Sequence, residues 1–152
     1  MLLNDVIELP STGILLGLDP GSKTIGIAAS DALQLTAHPV ETIQKGKKLA
    51  PALSRMFELF DERSAVGIVM GLPLNMDGSA GPRAQSARAL ARHILQVREV
   101  PIAFQDERMS SQSAERAMLE ADLSRARRAE LIDKSAAAII LQTAIDRIAN
   151  AS

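Results

Sequence analysis

The chain has 152 residues, 47% of them apolar, which suits one domain with a proper core and leaves no room for a second full one. Seventeen basic residues against eighteen acidic ones exclude a global positive field of the histone kind, and the three Phe, with no Tyr or Trp, argue against base-stacking platforms. The absence of cysteine excludes disulfides and thiolate metal sites, leaving oxygen ligands as the metal chemistry open to the chain.

Met1 to Thr12 carries Asp5 and Glu8 where a signal peptide would be basic and then apolar. It ends in a Pro10-Ser11-Thr12 breaker cluster, so it reads as an N-terminal tail (1–12) ahead of a domain over 13–152. No apolar run approaches the roughly 18 residues of a membrane span, and a soluble cytoplasmic protein without a membrane partner is expected. Gly13 to Asp19, Thr24 to Ser30 and Thr36 to Ile43 are short runs rich in Ile, Leu and Ala, bounded by Gly, Asp and Pro. They predict three strands, and the links between them are too short for crossover helices, so they should form an antiparallel meander. After the basic stretch Lys45-Gly-Lys-Lys48, the spacing of Leu49, Leu53, Met56, Phe57 and Phe60 predicts an amphipathic helix. Ala65 to Met70 is fully apolar, as in a strand buried on both faces of a parallel sheet.

The glycine-rich loop Gly71 to Gly81 leads to Pro82, well placed as the first residue of a helix to about Arg98 that buries Ala87, Leu90, Ala91, Ile94 and Leu95 and turns Arg88 and Arg92 outward. Val100 to Gln105 is a further buried strand ending in Asp106-Glu107-Arg108. Ser110 or Ser111 can cap a helix through about Leu123. Ser124 to Arg128 breaks the apolar pattern, and a long helix is expected from about Ala129 to Ala149. The fold class that follows is α/β: a mixed five-stranded sheet, three strands as an antiparallel meander and two parallel, flanked by helices.

Three carboxylates stand where packing alone does not explain them. Asp19 and Glu107 each end an apolar strand, and ligand sites in α/β sheets gather at such ends. Asp133 heads the stripe Ala137, Ile140, Ala144 and Ile148 of the last helix. Each has an ordinary alternative: a turn residue before Pro20-Gly21, a surface bridge from Glu107 to Arg108, an acid answering the helix macrodipole. Together, three acids from three elements suit hard cations holding a phosphodiester for attack by water. Asp31 reads as a turn residue, His93 as helix surface and His38 as a loop or strand-end residue. Arg83 in a first helical turn opposes the macrodipole, which an anionic ligand would explain. Lys23, the Lys45 to Lys48 group and Arg125, Arg127 and Arg128 could extend a phosphate track, or be solvated surface charge.

Four blocks carry a resemblance: Gly17-Leu-Asp-Pro-Gly-Ser-Lys-Thr-Ile-Gly-Ile-Ala-Ala-Ser-Asp31; Gly71-Leu-Pro-Leu-Asn-Met-Asp-Gly78 with Gly81-Pro-Arg-Ala-Gln85; Asp106-Glu-Arg-Met-Ser-Ser111 with Ala114-Glu115; and Ile132-Asp-Lys-Ser-Ala-Ala-Ala-Ile-Ile-Leu-Gln142. In order and spacing they resemble the bacterial YqgF family, also called RuvX. The resemblance implies an RNase H-like fold and a metal-dependent nuclease using Mg²⁺ or Mn²⁺, with Asp19, Glu107 and Asp133 as catalytic acids and metal ligands. It also implies maturation of the 5′ end of precursor 16S ribosomal RNA. Lys23, Arg83, Arg108 and Ser79 are the expected substrate-binding residues, Arg108 by orienting Glu107. Nucleic acid is the expected partner, with ribosomal subunit precursors, and the chain itself a monomer or weak homodimer. Thr24 stands where the family commonly has a second basic residue, and Thr143 where it often has an aromatic one. Rival readings are a branched-DNA resolvase and a non-catalytic RNA-binding or ribosome-associated module. Gly17 to Thr24 nearly spells a P-loop, but Ser22 stands where that motif needs Gly. Actin-like ATPases share the turn but need two such domains.

Overall fold

The computed structural model describes residues 1–108 and 125–151, with side chains through residue 108 and again from residue 136 to residue 151. Three strands open the sheet: β1 (Leu15–Pro20), β2 (Thr24–Ser30) and β3 (Ala37–Gln44), paired antiparallel in sequence order. Gly21 closes the tight β1–β2 turn, its N–H bonded to the Thr24 carbonyl at 2.8 Å, so Asp19 pairs with Gly26 across the hairpin. A bulge between Ile27 and Ala28 twists the β2–β3 ladder. His38 is the second residue of β3, a strand-end position as expected, and its Nε2 lies 3.0 Å from the Thr36 hydroxyl.

Next come α1 (Ala50–Glu62), β4 (Gly67–Leu72), α2 (Pro82–Val97) and β5 (Ile102–Asp106). β4 pairs parallel with β1 and β5 parallel with β4, giving the strand order β3-β2-β1-β4-β5. This is the expected meander with two parallel strands added. The last described helix, α3 (Arg125–Ala151), begins about a turn earlier than the apolar pattern suggests. Arg and Ala are strong helix formers, so the polar stretch interrupts the stripe without interrupting the backbone. The helix expected between Ser110 or Ser111 and Leu123 lies outside the described residues. Among them, no helix is long and apolar enough to cross a membrane.

Strand alternation divides the interior into two cores. On one face Leu16, Leu18, Ile25, Ile27, Ile68 and Met70 pack against Met56, Phe57 and Phe60 of α1 and Leu90 and Ile94 of α2. At roughly 1.5–3 kcal/mol for each large side chain, this is the main hydrophobic store. Arg98 closes it, its guanidinium 5.4 Å from the centroids of both Phe57 and Phe60 and 2.7 Å from Asp61. On the other face Leu15, Ala28, Val69 and Ala103 meet Ala137, Leu141, Ala144 and Ile145 of α3. The first twelve residues also reach this side. Leu2 bridges to Ile102, a 3₁₀ turn spans Val6–Glu8, Val6 and Leu9 are buried, and Asp5 bonds Arg147 at 3.1 Å. They cover what would otherwise be an open edge at β5.

The α3 face of the sheet is built from small residues, and that sets how closely the helix lies. A Cβ on Gly17 would stand 2.7 Å from Leu141 Cβ and 3.0 Å from the Ala137 carbonyl. Gly17→Ala should therefore destabilise the fold by about 1–3 kcal/mol through overpacking. Urea denaturation of the two proteins checks this, and equal midpoints would show that α3 is free to retreat.

Candidate active site

β1 and β5 are separated by β4, so their backbones stand roughly 10 Å apart. Their acids nevertheless meet. Asp19 is the fifth residue of β1 and shares its face with Leu15 and Gly17, while Glu107 follows the last residue of β5. Between them β4 presents Gly71. A Cβ there would lie 2.7 Å from Glu107 Oε1 and 2.7 Å from Ile140 Cδ1, so any side chain would occupy the space through which Glu107 reaches. The Glu107 carboxyl hydrogen-bonds the Asp19 carboxyl.

That contact has an electrostatic consequence. Burial, the hydrogen bond to Asp19 and the Asp19 charge push Glu107 up from the usual 4.5 to about 7, with Asp106 adding to the rise and Arg83 opposing it. Two hard-oxygen donors in contact, one of them held back from ionising by the other, fit a divalent cation, which would relieve the repulsion. Among the described residues no third acid or histidine joins them. The side chain of Asp133 lies outside those residues. Its backbone belongs to α3, one turn before Ala137, the residue whose Cβ approaches Gly26 and whose carbonyl approaches Gly17. Moving along α3 from Leu141 to Ala137 therefore moves along β1 toward Asp19, and position 133 is one turn of about 5.4 Å further.

The expected substrate residues fall at two places. Arg108 does not pair with Glu107. Its guanidinium clasps Asp106, with Nη2 to Oδ2 at 2.7 Å and Nε to both oxygens at 3.1 Å, and Nη1 donates to the Met76 carbonyl at 3.0 Å. The arginine fork matches the neighbouring carboxylate, and holds it below the usual carboxylate range. Arg108 thus ties the glycine-rich loop to the end of β5. Within that loop Ser79 donates its N–H and its hydroxyl to Asp77 Oδ1 at 2.9 and 2.6 Å. Lys23 and Arg83 are exposed on the other side, at the β1–β2 turn and in the first turn of α2.

Asp31 is a turn residue, accepting the N–H groups of Leu35 and Thr36 at 2.8 and 2.9 Å. His93 is exposed on α2. Sequence reasoning passed over Gly71 and Asp106. Gly71 carries a signal only as the glycine that opens the loop, and Asp106 only as an acid adjacent to another. Beside Asp19 a cleft of about 430 Å³ opens between Gly26, Thr42 and the Ala136 to Ala138 turn of α3.

A family model described as "RuvX: Holliday junction resolvase" matches residues 13–147. A protein of Cereibacter sphaeroides named "Putative pre-16S rRNA nuclease" is 53% identical, over 97% of this chain and 94% of its own. One of the same name from Rhodobacter capsulatus is 55% identical, over 93% of this chain and 89% of its own. Among solved structures, T. thermophilus RuvC in complex with a Holliday junction substrate superposes with a TM-score of 0.53 at 17% identity, covering 91% of this chain and 96% of that one. The likeness is one of fold, and the fold is RNase H-like.

The raised Glu107 makes stability depend on pH. Between 4.5, where an unfolded glutamate titrates, and about 7, the folded state holds the extra proton. Stability therefore falls as pH rises through that window and stays lowered above it. In chelator, wild type should lose stability between about pH 5 and about pH 8 relative to Glu107→Gln, measured by urea denaturation. Parallel pH curves for the two proteins would mean that the carboxyl contact is absent in solution.

Proposed function

This chain belongs to the RuvX family, and from that membership we propose that it is a metal-dependent nuclease maturing the 5′ end of precursor 16S ribosomal RNA, with Asp19, Glu107 and Asp133 as its catalytic acids. The observation that carries the reading is the Asp19–Glu107 contact across Gly71, where burial and the Asp19 charge hold a proton on Glu107 up to about 7. A packing role would be met better by apolar residues, since an unpaired buried carboxylate costs several kcal/mol.

In the proposed site Asp19, Glu107 and Asp133 hold one or two Mg²⁺ or Mn²⁺ ions. Bound there, the metal supplies a water of lowered pKa and stabilises charge on the phosphate oxygens. Glu107 gives up its proton when it becomes a ligand, so binding below about pH 7 releases a proton. Arg83, whose charge already acts on Glu107, neutralises a phosphate beside the one cut, and Lys23 on the β1–β2 turn does the same for the strand that follows. Arg108 acts through the loop: anchored on Asp106, it holds the Met76 carbonyl and so the loop bearing Ser79. The proposed setting is the cytoplasm, on ribosomal subunit precursors.

A four-way DNA junction is the competing substrate, favoured by the description of the family model. Cleavage of a labelled precursor rRNA leader and of a four-way junction, each with Mn²⁺ or chelator, separates the two. Asp19→Asn should lower metal-dependent cutting roughly a hundredfold or more while leaving thermal unfolding intact. RNA cut and junction spared supports rRNA maturation, the reverse pattern supports the resolvase, and inert wild type that still binds RNA leaves a binding module.

A further inference from the structure

The three lysines of the basic stretch, alike in sequence, part company in the fold. Lys47 and Lys48 are exposed, while Lys45 is half-buried and bonded at both ends. Its backbone N–H donates to the Lys23 carbonyl at 2.9 Å, extending the β2–β3 ladder by one rung, and its ammonium donates to the Gly21 carbonyl. An ammonium has three N–H donors, so two remain. Lys45 lines a cleft of about 460 Å³ together with Pro20, Gly21, Ser22, Arg83 and Ser86. The lining contains two cations, two hydroxyls and no acid. Among the described residues neither Lys45 nor Arg83 takes part in an ion pair. Two like charges share one concave lining that holds no acid, and an anion between them reverses the sign of their interaction. The cleft includes Pro20, the residue after Asp19, and Arg83, whose charge acts on Glu107, so it lies near the carboxylate pair at the end of β1.

We propose that this cleft binds a backbone phosphodiester of the nucleic acid strand adjacent to the one presented to Asp19 and Glu107, with Lys45 as a substrate-positioning residue beside Arg83 and with Ser22 and Ser86 donating hydroxyls. Its position next to the cut rests on the nuclease reading; the phosphate contact does not. The ammonium of Lys45 is held by Gly21, so it meets the phosphate with little side-chain freedom left to lose, unlike Lys47 and Lys48. The contact carries no base information and serves RNA and DNA strands alike.

The test is binding of the full chain in chelator to a labelled single-stranded RNA leader, and to DNA of the same sequence, over a salt series. Lys45→Gln should bind both strands several-fold more weakly, with a log–log salt slope smaller by about 0.7 for the one phosphate lost. Lys45→Arg should restore most of the affinity, and Lys47→Gln and Lys48→Gln should match wild type. An unchanged slope in Lys45→Gln, an equal loss in Lys47→Gln, or a loss confined to RNA would overturn the proposal. If thermal unfolding shows Lys45→Gln destabilised through its Gly21 bond, Ser86→Asp places an anion in the cleft without touching that bond. It should weaken both strands to a similar degree, and wild-type binding by it would sink the idea. Binding in chelator, where a metal-dependent nuclease does not cut, reads the subsite alone. Wild type that binds as expected but stays inert when Mn²⁺ is added counts against the nuclease reading and leaves the subsite standing. An enzyme that cleaves with Mn²⁺ while Lys45→Gln binds like wild type does the opposite.

Discussion

The structure depends on how closely α3 approaches the sheet. Gly17 admits Leu141 and the Ala137 carbonyl to distances that no Cβ would allow, and Gly26 and Ala28 keep the neighbouring strand low. Interiors packed at crystal-like density transmit such a constraint along the whole helix. With Leu141, Ala137 and Ile140 seated on β1 and β4, the N-terminal part of α3 is aimed past the end of β1, where Asp19 stands. The apolar face of the helix thus does more than bury surface. It sets the distance between a helix and the strand ends on which a carboxylate site can be assembled.

The same small-residue logic recurs at Gly71, with electrostatics in place of packing. A Cβ there would stand 2.7 Å from Glu107 Oε1 and displace the carboxyl from its place beside Asp19. Without it they touch, and the partly buried position makes their shared negative charge unfavourable enough to hold a proton near neutrality. The neighbouring charges are distributed to keep this state intact. Asp106 is neutralised by the Arg108 fork, which removes a third free acid from the end of β5. Arg83 stands at a distance that tempers Glu107 without forming an ion pair with it.

Much of the fold was legible because its signals are local. Ala65 to Met70 and Val100 to Gln105 announce buried strands by their apolar runs, and Leu53, Met56, Phe57 and Phe60 announce α1 by their spacing; the strands and helix formed there. The start of α3 was misread because apolar periodicity reports which face is buried, not where the backbone stops being helical. Met1 to Thr12 offers too few apolar positions to display a period, yet Val6 and Leu9 are buried against the β5 side. Arg108 was assigned to Glu107 by adjacency, whereas its guanidinium found Asp106 two residues back, with both carboxylate oxygens in reach.

By itself the sequence determined the element types, the meander-then-crossover order and the identity of Asp19 and Glu107 as acids at strand ends, since each of these follows from residue type and short-range spacing. What only the tertiary structure decided is which groups act on one another across the chain. Asp19 and Glu107 are 88 positions apart (107 minus 19) and meet because strand order places β4 between their strands with a glycine at the crossing point. Lys45 differs from Lys47 and Lys48 only because the β2–β3 ladder carries it to the Gly21 carbonyl. Register and strand order are properties of the assembled sheet, and no run of neighbouring residues contains them.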